Sequence, residues 1–265
     1  MDELTAYFVT TERQHAEEAL ASLRAQGIPR PVEIVRNVRP LAAAYRQTLD
    51  CETPFCLLLD DDTVLRAGVV RVLLDRFRQM RSAEPMGFKL FTRVFNESIM
   101  VWGRGGLKLF YTPLLKRVGW PDAPHVAMAQ MKVARGMGLK EFGAKIEAGV
   151  QRRGSDLDVY KKYLWKEIRA RAGQEKRVPL SALVRDARGG VEWLWFAALG
   201  VVDAMQAGEV STSKDEGFLG PIGRTLDFAA VTAADVAGIV TRHESLKAVG
   251  PGRPARPAGH APGNS

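Results

Sequence analysis

The chain has 265 residues, a length that corresponds to one large domain or one domain with an appendage. Its composition, 46% hydrophobic and 26% charged, is that of a folded globular protein and excludes collagen, coiled-coil and wholly disordered chains. Two cysteines exclude a disulfide scaffold and a cysteine-based zinc module. Because no segment resembles a signal peptide or a membrane-spanning helix, we expect a cytoplasmic protein.

The net charge of +8 is concentrated in one segment. Residues 132–188 contain 15 Lys and Arg against 7 Asp and Glu, which accounts for the whole excess. Such a segment attracts phosphate groups or an acidic membrane surface, and a solvated face without a partner is the alternative. Residues 160–171, basic and aromatic, are compatible with peripheral contact at the inner membrane face or with ordinary helix packing. No nucleic-acid-binding signature accompanies the charge, so we expect no nucleic acid partner.

The first 90 residues alternate between apolar runs typical of strands and amphipathic segments typical of helices. Strands are predicted at residues 6–9, 32–35, 54–59 and 87–94, and helices at 11–26, 40–49 and 66–80. Thr11 and Gln14 predict a capping box at the start of the first helix. This alternation predicts a mixed, mainly parallel sheet flanked by helices.

Beyond residue 95 the pattern is less regular. Residues 103–106, Gly-Arg-Gly-Gly, indicate a flexible junction that either approaches a ligand closely or only turns. Further helices are predicted at residues 111–118, 160–171 and 191–205, while 126–150 receive no assignment. Residues 250–265 contain four Gly and four Pro, which predicts a disordered tail.

Three consecutive carboxylates, Asp60, Asp61 and Asp62, follow the most apolar predicted strand. Neighbouring carboxylates repel one another, so their pKa values rise unless a cation compensates them. Open α/β sheets bind ligands at the carboxyl ends of their strands. A divalent cation such as Mn²⁺ or Mg²⁺, which prefers carboxylate and water oxygens, would cancel the repulsion. A solvated surface loop is the alternative.

The order and spacing of six motifs over about residues 5–125 resemble the family 2-like glycosyltransferases, which have the GT-A fold. The motifs are a strand with a polar loop (7–11), a second strand (33–37), an Ala-rich helix with polar residues (41–47), an apolar strand ending in Asp-x-Asp (59–62), a Gly-rich stretch (105–106), and a short helix before Gly-aromatic-x-Asp (114–122). The resemblance implies a GT-A-like core at residues 1–125. It also implies an acceptor-side part with a helical C-terminal extension of the same domain at 126–249.

In that family a divalent metal bridges the diphosphate of a nucleotide-sugar and stabilises the leaving group. The resemblance implies that Asp62 binds the metal directly. Asp60 would bind it through water or hold the ribose, and Asp61 would turn toward the nucleotide. His125 is a further candidate metal ligand.

The resemblance also places the base and ribose of the donor against the loop after the first strand. The implied contacts are Thr10, Thr11, Glu12, Arg13, Asn37, Arg39 and Arg46. The family usually has an acidic residue at the end of the second strand, where this chain has Arg36 and Asn37. The identity of the base therefore stays open. For Arg39 and Arg46, the alternative is an exposed surface position without a ligand.

An inverting transfer needs a general base that removes the proton of the acceptor hydroxyl. The resemblance places this base at Asp122 and an apolar wall against a sugar at Trp120. A turn aspartate and a core tryptophan are the alternatives. The acceptor is left open between a saccharide, a lipid-linked molecule and a protein side chain.

Two other functions compete with sugar transfer. Residues 57–65 also resemble the Asp-x-Asp-x-Thr motif of HAD-type phosphatases, in which Asp60 would be the nucleophile of a Mg²⁺-dependent phosphohydrolase. That family needs a later strand followed by an acidic pair, and Asp156 and Asp158 follow polar residues instead. A catalytically silent GT-A-like binding module is the other alternative.

Overall fold

The computed structural model describes residues 1–123, 126–173, 176–207 and 231–248. These residues form two compact units. The first is Met1–Val159, and the second contains residues 160–207 and 231–248. His125 and the predicted tail at 250–265 lie outside the described residues.

The first unit is built on a seven-stranded sheet. The strands are β1 Leu4–Thr10, β2 Glu33–Arg36, β3 Phe55–Asp60, β4 Thr63–Leu65, β5 Gly87–Asn96, β6 Val101–Tyr111 and β7 Lys140–Gln151. Their order across the sheet is β2-β1-β3-β6-β5-β7-β4. The pairs β1–β2, β1–β3 and β5–β7 are parallel, whereas β6 is antiparallel to β3 and β5, and β4 is antiparallel to β7. Most strands therefore share one direction, which confirms the mixed, mainly parallel sheet.

Helices cover both faces of this sheet. They are α1 Ala16–Arg24, α2 Leu41–Arg46, α3 Val69–Ala83, α4 Thr112–Val118 and α5 Val126–Gly136. Side chains alternate across a strand, so Leu57 and Leu59 of β3 pack with Phe77 of α3, whereas Leu58 belongs to the cluster of Tyr45 of α2. The central strand β3 is apolar on both sides because both of its faces are covered.

The second unit is helical. Its helices are the part of α6 (Asp156–Arg171) from residue 160 onward, α7 Leu180–Arg188, α8 Leu194–Gln206 and α9 Ala233–Ala248. Gly200 of α8 permits close helix contact, since a Cβ there would lie 2.4 Å from the carbonyl oxygen of Tyr160. The buried Tyr160 hydroxyl donates to Asp203 at 2.9 Å. The helical C-terminal extension is confirmed.

The aromatic face of α6 is buried, which favours helix packing over the membrane-contact prediction. Tyr160 and Tyr163 are both almost inaccessible to solvent. None of the helices described here is both long and apolar enough to cross a bilayer. Peripheral membrane contact remains a prediction without structural support.

The flexible junction predicted at residues 103–106 is wrong, because these residues lie inside β6. A Cβ on Gly105 would lie 1.5 Å from Cγ2 of Val94, and a Cβ on Gly106 would lie 2.9 Å from Cβ of Asp60. The glycines therefore allow neighbouring side chains to approach the strand. The sheet also continues past residue 125, because β7 occupies most of the segment left unassigned by sequence.

The predicted capping box is also wrong. Helix α1 begins at Ala16 and has no side-chain cap. The preceding loop is held differently: the Thr11 N–H donates to Asp61 at 2.8 Å, and the Glu12 N–H donates to the Thr10 hydroxyl at 2.7 Å. These bonds fix a loop at the end of β1 instead of starting a helix.

Candidate functional site

The acidic triplet lies where β1 and β3 end side by side. Val9 of β1 pairs with Asp60 of β3, so the loop that follows β1 is next to the carboxylates. The end of β2 joins the same edge, because the Asn37 N–H donates to the Thr10 carbonyl at 2.9 Å. The structure therefore assembles the predicted loop and carboxylates at the carboxyl ends of three parallel strands.

Asp61 points into the protein and shapes the loop. Its carboxylate accepts hydrogen bonds from the Thr10 hydroxyl at 3.0 Å and the Thr11 N–H at 2.8 Å. The Arg13 Nε lies 3.7 Å away, and the Asp61 side chain is only 5% exposed. This corrects the expectation that Asp61 turns toward a nucleotide. Its carboxylate is directed into the protein, where its contacts hold residues 10–13 in place.

Asp60 belongs to a hydrogen-bonded group with Tyr45 and Lys108, in which the Lys108 side chain is 12% exposed and the Asp60 side chain 30% exposed. The Tyr45 hydroxyl donates to Oδ1 at 3.0 Å, and the Lys108 Nζ donates to Oδ2 at 2.9 Å. Burial alone would lower the pKa of Lys108, but the Asp60 carboxylate and Tyr45 outweigh burial and raise it. Lys108 therefore stays charged, and both carboxylate oxygens of Asp60 are already engaged.

Tyr45 donates as a neutral phenol. Burial and the neighbouring Asp60 charge raise its pKa well above the ordinary value. Its ring also contacts Trp120, with ring centroids 4.8 Å apart. Tyr45 thus links the carboxylates to the segment that carries Asp122.

Asp62 is the carboxylate of the triplet whose charge is only partly compensated, by Arg13. Its Oδ2 accepts from the Gln151 amide at 2.9 Å and lies 3.4 Å from Nη1 of Arg13. Burial, followed by the charge of Asp60, raises the pKa of Asp62. The Asp62 side chain is 19% exposed, so a ligand from solvent can reach it.

The donor chemistry of these residues fits a divalent cation that is only partly enclosed by protein. A cation at Asp62 would relieve the repulsion that raises its pKa. The part of the chain that the structure describes contains no cluster of three His, Cys, Asp or Glu side chains arranged as a full ligand set. Water and substrate oxygens would therefore complete the coordination, as is common for Mg²⁺. The role of His125 stays a prediction, because that residue is not described.

The loop after β1 carries an acid that faces the end of β2. The Asn37 amide donates to the Glu12 carboxylate at 2.9 Å, and Nη1 of Arg36 lies 3.3 Å from it. Both Glu12 and Asn37 have positive φ angles, 60° and 52°. An acidic side chain on the loop after β1 therefore lies beside the end of β2. These side chains are exposed and available to a ligand.

Asp122 lies at the surface, and the structure holds it near α2. Nη2 of Arg46 lies 3.8 Å from its carboxylate, and Nε of Arg46 donates to the Trp120 carbonyl at 3.2 Å. The Asp122 side chain is 75% exposed. Arg39 is exposed between β2 and α2.

Trp120 is a core residue, which corrects its predicted role as a wall for a sugar. It is buried in the cluster of Tyr45 and Phe110. Its indole N–H donates to the Thr48 hydroxyl at 3.0 Å. No face of the ring is left for a ligand.

Sequence reasoning missed three side chains of the site: Tyr45, Lys108 and Gln151. Lys108 carried a signal, because a lysine between Leu107 and Leu109 in an apolar strand needs a buried partner. Gln151 carried none, since its proximity to Asp62 depends on the pairing of β4 with β7.

The phosphatase alternative needs the acidic pair Asp156 and Asp158. Both carboxylates form hydrogen bonds with residues close to them in the chain. Strand β7 precedes this pair, but the Asp156 carboxylate accepts a hydrogen bond from Nη1 of Arg153 at 2.6 Å. Asp158 accepts from the N–H and hydroxyl of Ser155 at 3.0 and 2.8 Å. Both carboxylates therefore stabilise the start of α6.

Comparisons with known proteins give distant structural similarities only. No protein-family model and no curated protein matches the sequence. The mannosyltransferase PcManGT from Pyrobaculum calidifontis, solved with GDP-Man and Mn²⁺, is 16% identical, with 92% of this chain and 87% of that chain covered and a TM-score of 0.46. S. aureus TarS 1–349 is 14% identical, with 94% and 93% covered and a TM-score of 0.43. The 4-diphosphocytidyl-2C-methyl-D-erythritol synthase from Anaerococcus prevotii is 9% identical, with 54% and 89% covered and a TM-score of 0.38. No activity follows for this chain from similarities this distant.

Proposed function

We propose that this protein transfers a sugar from a metal-bound nucleotide-sugar to an acceptor hydroxyl. The observation that carries the proposal is the accessible, under-compensated carboxylate of Asp62 beside a rigid polar loop at the carboxyl ends of β1 and β3. This is where open α/β sheets bind ligands. A solvated acidic loop would not need the internal bonds that hold Asp61 and Asp60 in place.

The residues divide into those that hold the metal and those that hold the nucleotide. A divalent cation held by Asp62 supplies Lewis-acid stabilisation of the leaving diphosphate. The hydrogen bond from Lys108 orients the Asp60 carboxylate beside it. Arg13, exposed and close to Asp61 and Asp62, is available to the negative charge of the diphosphate.

Residues at the outer edge of the site bind the nucleoside. Thr10 and Thr11 provide the fixed loop, while Glu12 and Asn37 present an acceptor and a donor for the base or ribose. A purine or pyrimidine edge offers complementary groups to such a pair. Arg39 and Arg46 add positive charge on the side of α2.

Asp122 acts as the general base on the acceptor hydroxyl. Its carboxylate is 75% exposed and lies 3.8 Å from Nη2 of Arg46, so an acceptor hydroxyl can reach it from solvent. This base would make the transfer inverting. The acceptor is open between a saccharide, a lipid-linked molecule and a protein side chain.

Asp122→Asn is expected to retain nucleotide binding and lose turnover by about 10²–10⁴-fold, the usual contribution of a general base. Asp75→Asn is the matched control, because Asp75 is also exposed and paired with an arginine, Arg78, but lies on α3. The measurement is nucleoside diphosphate release from GDP-mannose and UDP-glucose with Mn²⁺. Unchanged turnover in Asp122→Asn would remove it as the base. Metal-dependent binding without turnover in the wild-type protein would favour a silent binding module.

A further inference from the structure

A cavity lies on the other side of β3 from the loop that follows β1. It is a cleft of about 390 Å³ between the β5–β6–β7 part of the sheet and helix α5. The strand order β1-β3-β6-β5 puts the loop after β1 and this cleft on opposite sides of β3. Lys108 is common to both, because it lines the cleft and bonds Asp60. A ligand in the cleft would therefore sit beside the donor and would not replace it.

The floor of the cleft contains more positive than negative charge. Lys89 and Arg104 share one carboxylate, Glu141, each at 2.8 Å. Lys108 and Tyr45 both donate hydrogen bonds to the Asp60 carboxylate. The side chains of Lys89 and Lys108 are only 7% and 12% exposed. Crowded cations in a partly desolvated site are unfavourable until an anion joins them.

The pKa of Lys89 reports the same crowding. Burial lowers it first, and the charges of Lys108 and Arg104 lower it further, against the opposing effect of Glu141. The strand register enforces this arrangement, because Lys89 lies opposite Glu141 and Phe91 lies opposite Lys108.

The rim adds a second arginine, Arg135, and an apolar wall. The Arg104 guanidinium lies 3.7 Å from the centre of the Phe91 ring, which fixes its orientation. Arg135 of α5 is exposed and forms no ion pair with any residue in the described ranges. Met128 and Met131 line the cleft from the same helix and supply an adaptable apolar surface.

We propose that this cleft binds a phosphate group of the acceptor, so that the acceptor is a phosphate-bearing molecule. Four cations face two carboxylates, Asp60 and Glu141, and a phosphate monoester carries about the charge that is missing. Arginine forks match phosphate oxygens in pairs. The identification of the phosphate-bearing molecule as the acceptor rests on the proposed function, whereas phosphate binding by the cleft does not.

The test compares Arg135→Gln with Lys132→Gln. Both substitutions remove one positive charge from an exposed position of α5, but only Arg135 lines the cleft. The probe is glycerol 3-phosphate, with glycerol as the neutral comparison, and binding is measured by calorimetry at low salt. We expect glycerol 3-phosphate to bind the wild-type and Lys132→Gln proteins equally. Arg135→Gln should bind about tenfold more weakly, as expected for one lost charge-assisted contact.

A second arm identifies the source of the phosphate. Flotation with phosphatidic acid vesicles, compared with phosphatidylcholine vesicles, tests a lipid-borne phosphate. Binding of either probe that is weakened by Arg135→Gln and not by Lys132→Gln supports the proposal and names its source. Absence of binding to both probes, or equal loss in the two variants, overturns it.

Failure of this inference is distinguishable from failure of the proposed function. Nucleoside diphosphate binding with Mn²⁺ is measured on the same proteins, and Arg135→Gln should leave it unchanged. If phosphate binding fails while metal-dependent nucleotide binding persists, only the cleft assignment falls. If nucleotide binding is absent and phosphate binding persists, the cleft remains a phosphate site and the transferase role falls.

Discussion

Asp62→Asn is expected to abolish metal-dependent binding of a nucleoside diphosphate while leaving the protein folded. An amide is a poor ligand for Mn²⁺ or Mg²⁺ compared with a carboxylate, and Asp62 is the under-compensated acid that a solvent cation can reach. Calorimetric titration of the nucleotide with and without metal measures the loss. Asp75→Asn, which carries the same change on α3, should bind as the wild-type protein does.

The raised pKa of Asp62 leads to two further predictions, one for the stability of the variant and one for the pH dependence of metal binding. A carboxyl group whose pKa is raised in the folded state destabilises the fold above its unfolded pKa. The melting temperature of Asp62→Asn without metal at neutral pH should therefore equal or exceed that of the wild-type protein. Metal affinity should fall as pH falls through the raised pKa, because the proton competes with the cation. A variant that binds normally with metal would refute the role of Asp62.

Lys108→Met is expected to lower the free energy of unfolding by about 3 kcal/mol, because it leaves the Asp60 charge without its partner. For a protein of this size the melting temperature should fall by about 5–10 °C. Lys132→Met, an exposed substitution on α5, should change the free energy by no more than about 0.5 kcal/mol. Equal melting temperatures for Lys108→Met and the wild-type protein would contradict the stabilising role assigned to the Lys108–Asp60 ion pair.

The pH dependence of Lys108→Met follows from the raised pKa of Lys108. That pKa lies above its unfolded value, so the contribution of Lys108 to stability is complete at neutral pH and is lost only above the ordinary lysine range. The difference in melting temperature between the variant and the wild-type protein should therefore stay constant around neutral pH and shrink only above the ordinary lysine range.

Strands β1 and β3 could be predicted because both are buried on both faces. Strand β3 is a continuous apolar run, and continuous runs bounded by polar residues are the clearest strand signal. Strand β6 was missed because its glycines are needed for contact with Val94 and Asp60 and appear as a turn in sequence. Strand β7 was missed because Gly and Ala, as at Gly143 and Gly149, interrupt its apolar residues.

The location of the site was predictable, but the roles of its members were only partly so. Three adjacent aspartates are equivalent in sequence, whereas neighbouring side chains at a strand end point in different directions. The structure therefore separates Asp61, which holds the loop, from Asp60 and Asp62. Lys108 and Tyr45 join Asp60 from distant parts of the chain, and no local pattern encodes that meeting.

The most direct measurement of the central claim is a thermal-shift panel of UDP, GDP, CDP and dTDP, each with and without Mn²⁺ or Mg²⁺. A ligand at about a hundred times its Kd stabilises the folded state by about 2.7 kcal/mol. In a protein of this size that corresponds to a rise of about 5–10 °C in melting temperature. We predict such a rise with one nucleoside diphosphate, and only when metal is present. No shift with any of the four at saturating metal would contradict the transferase account.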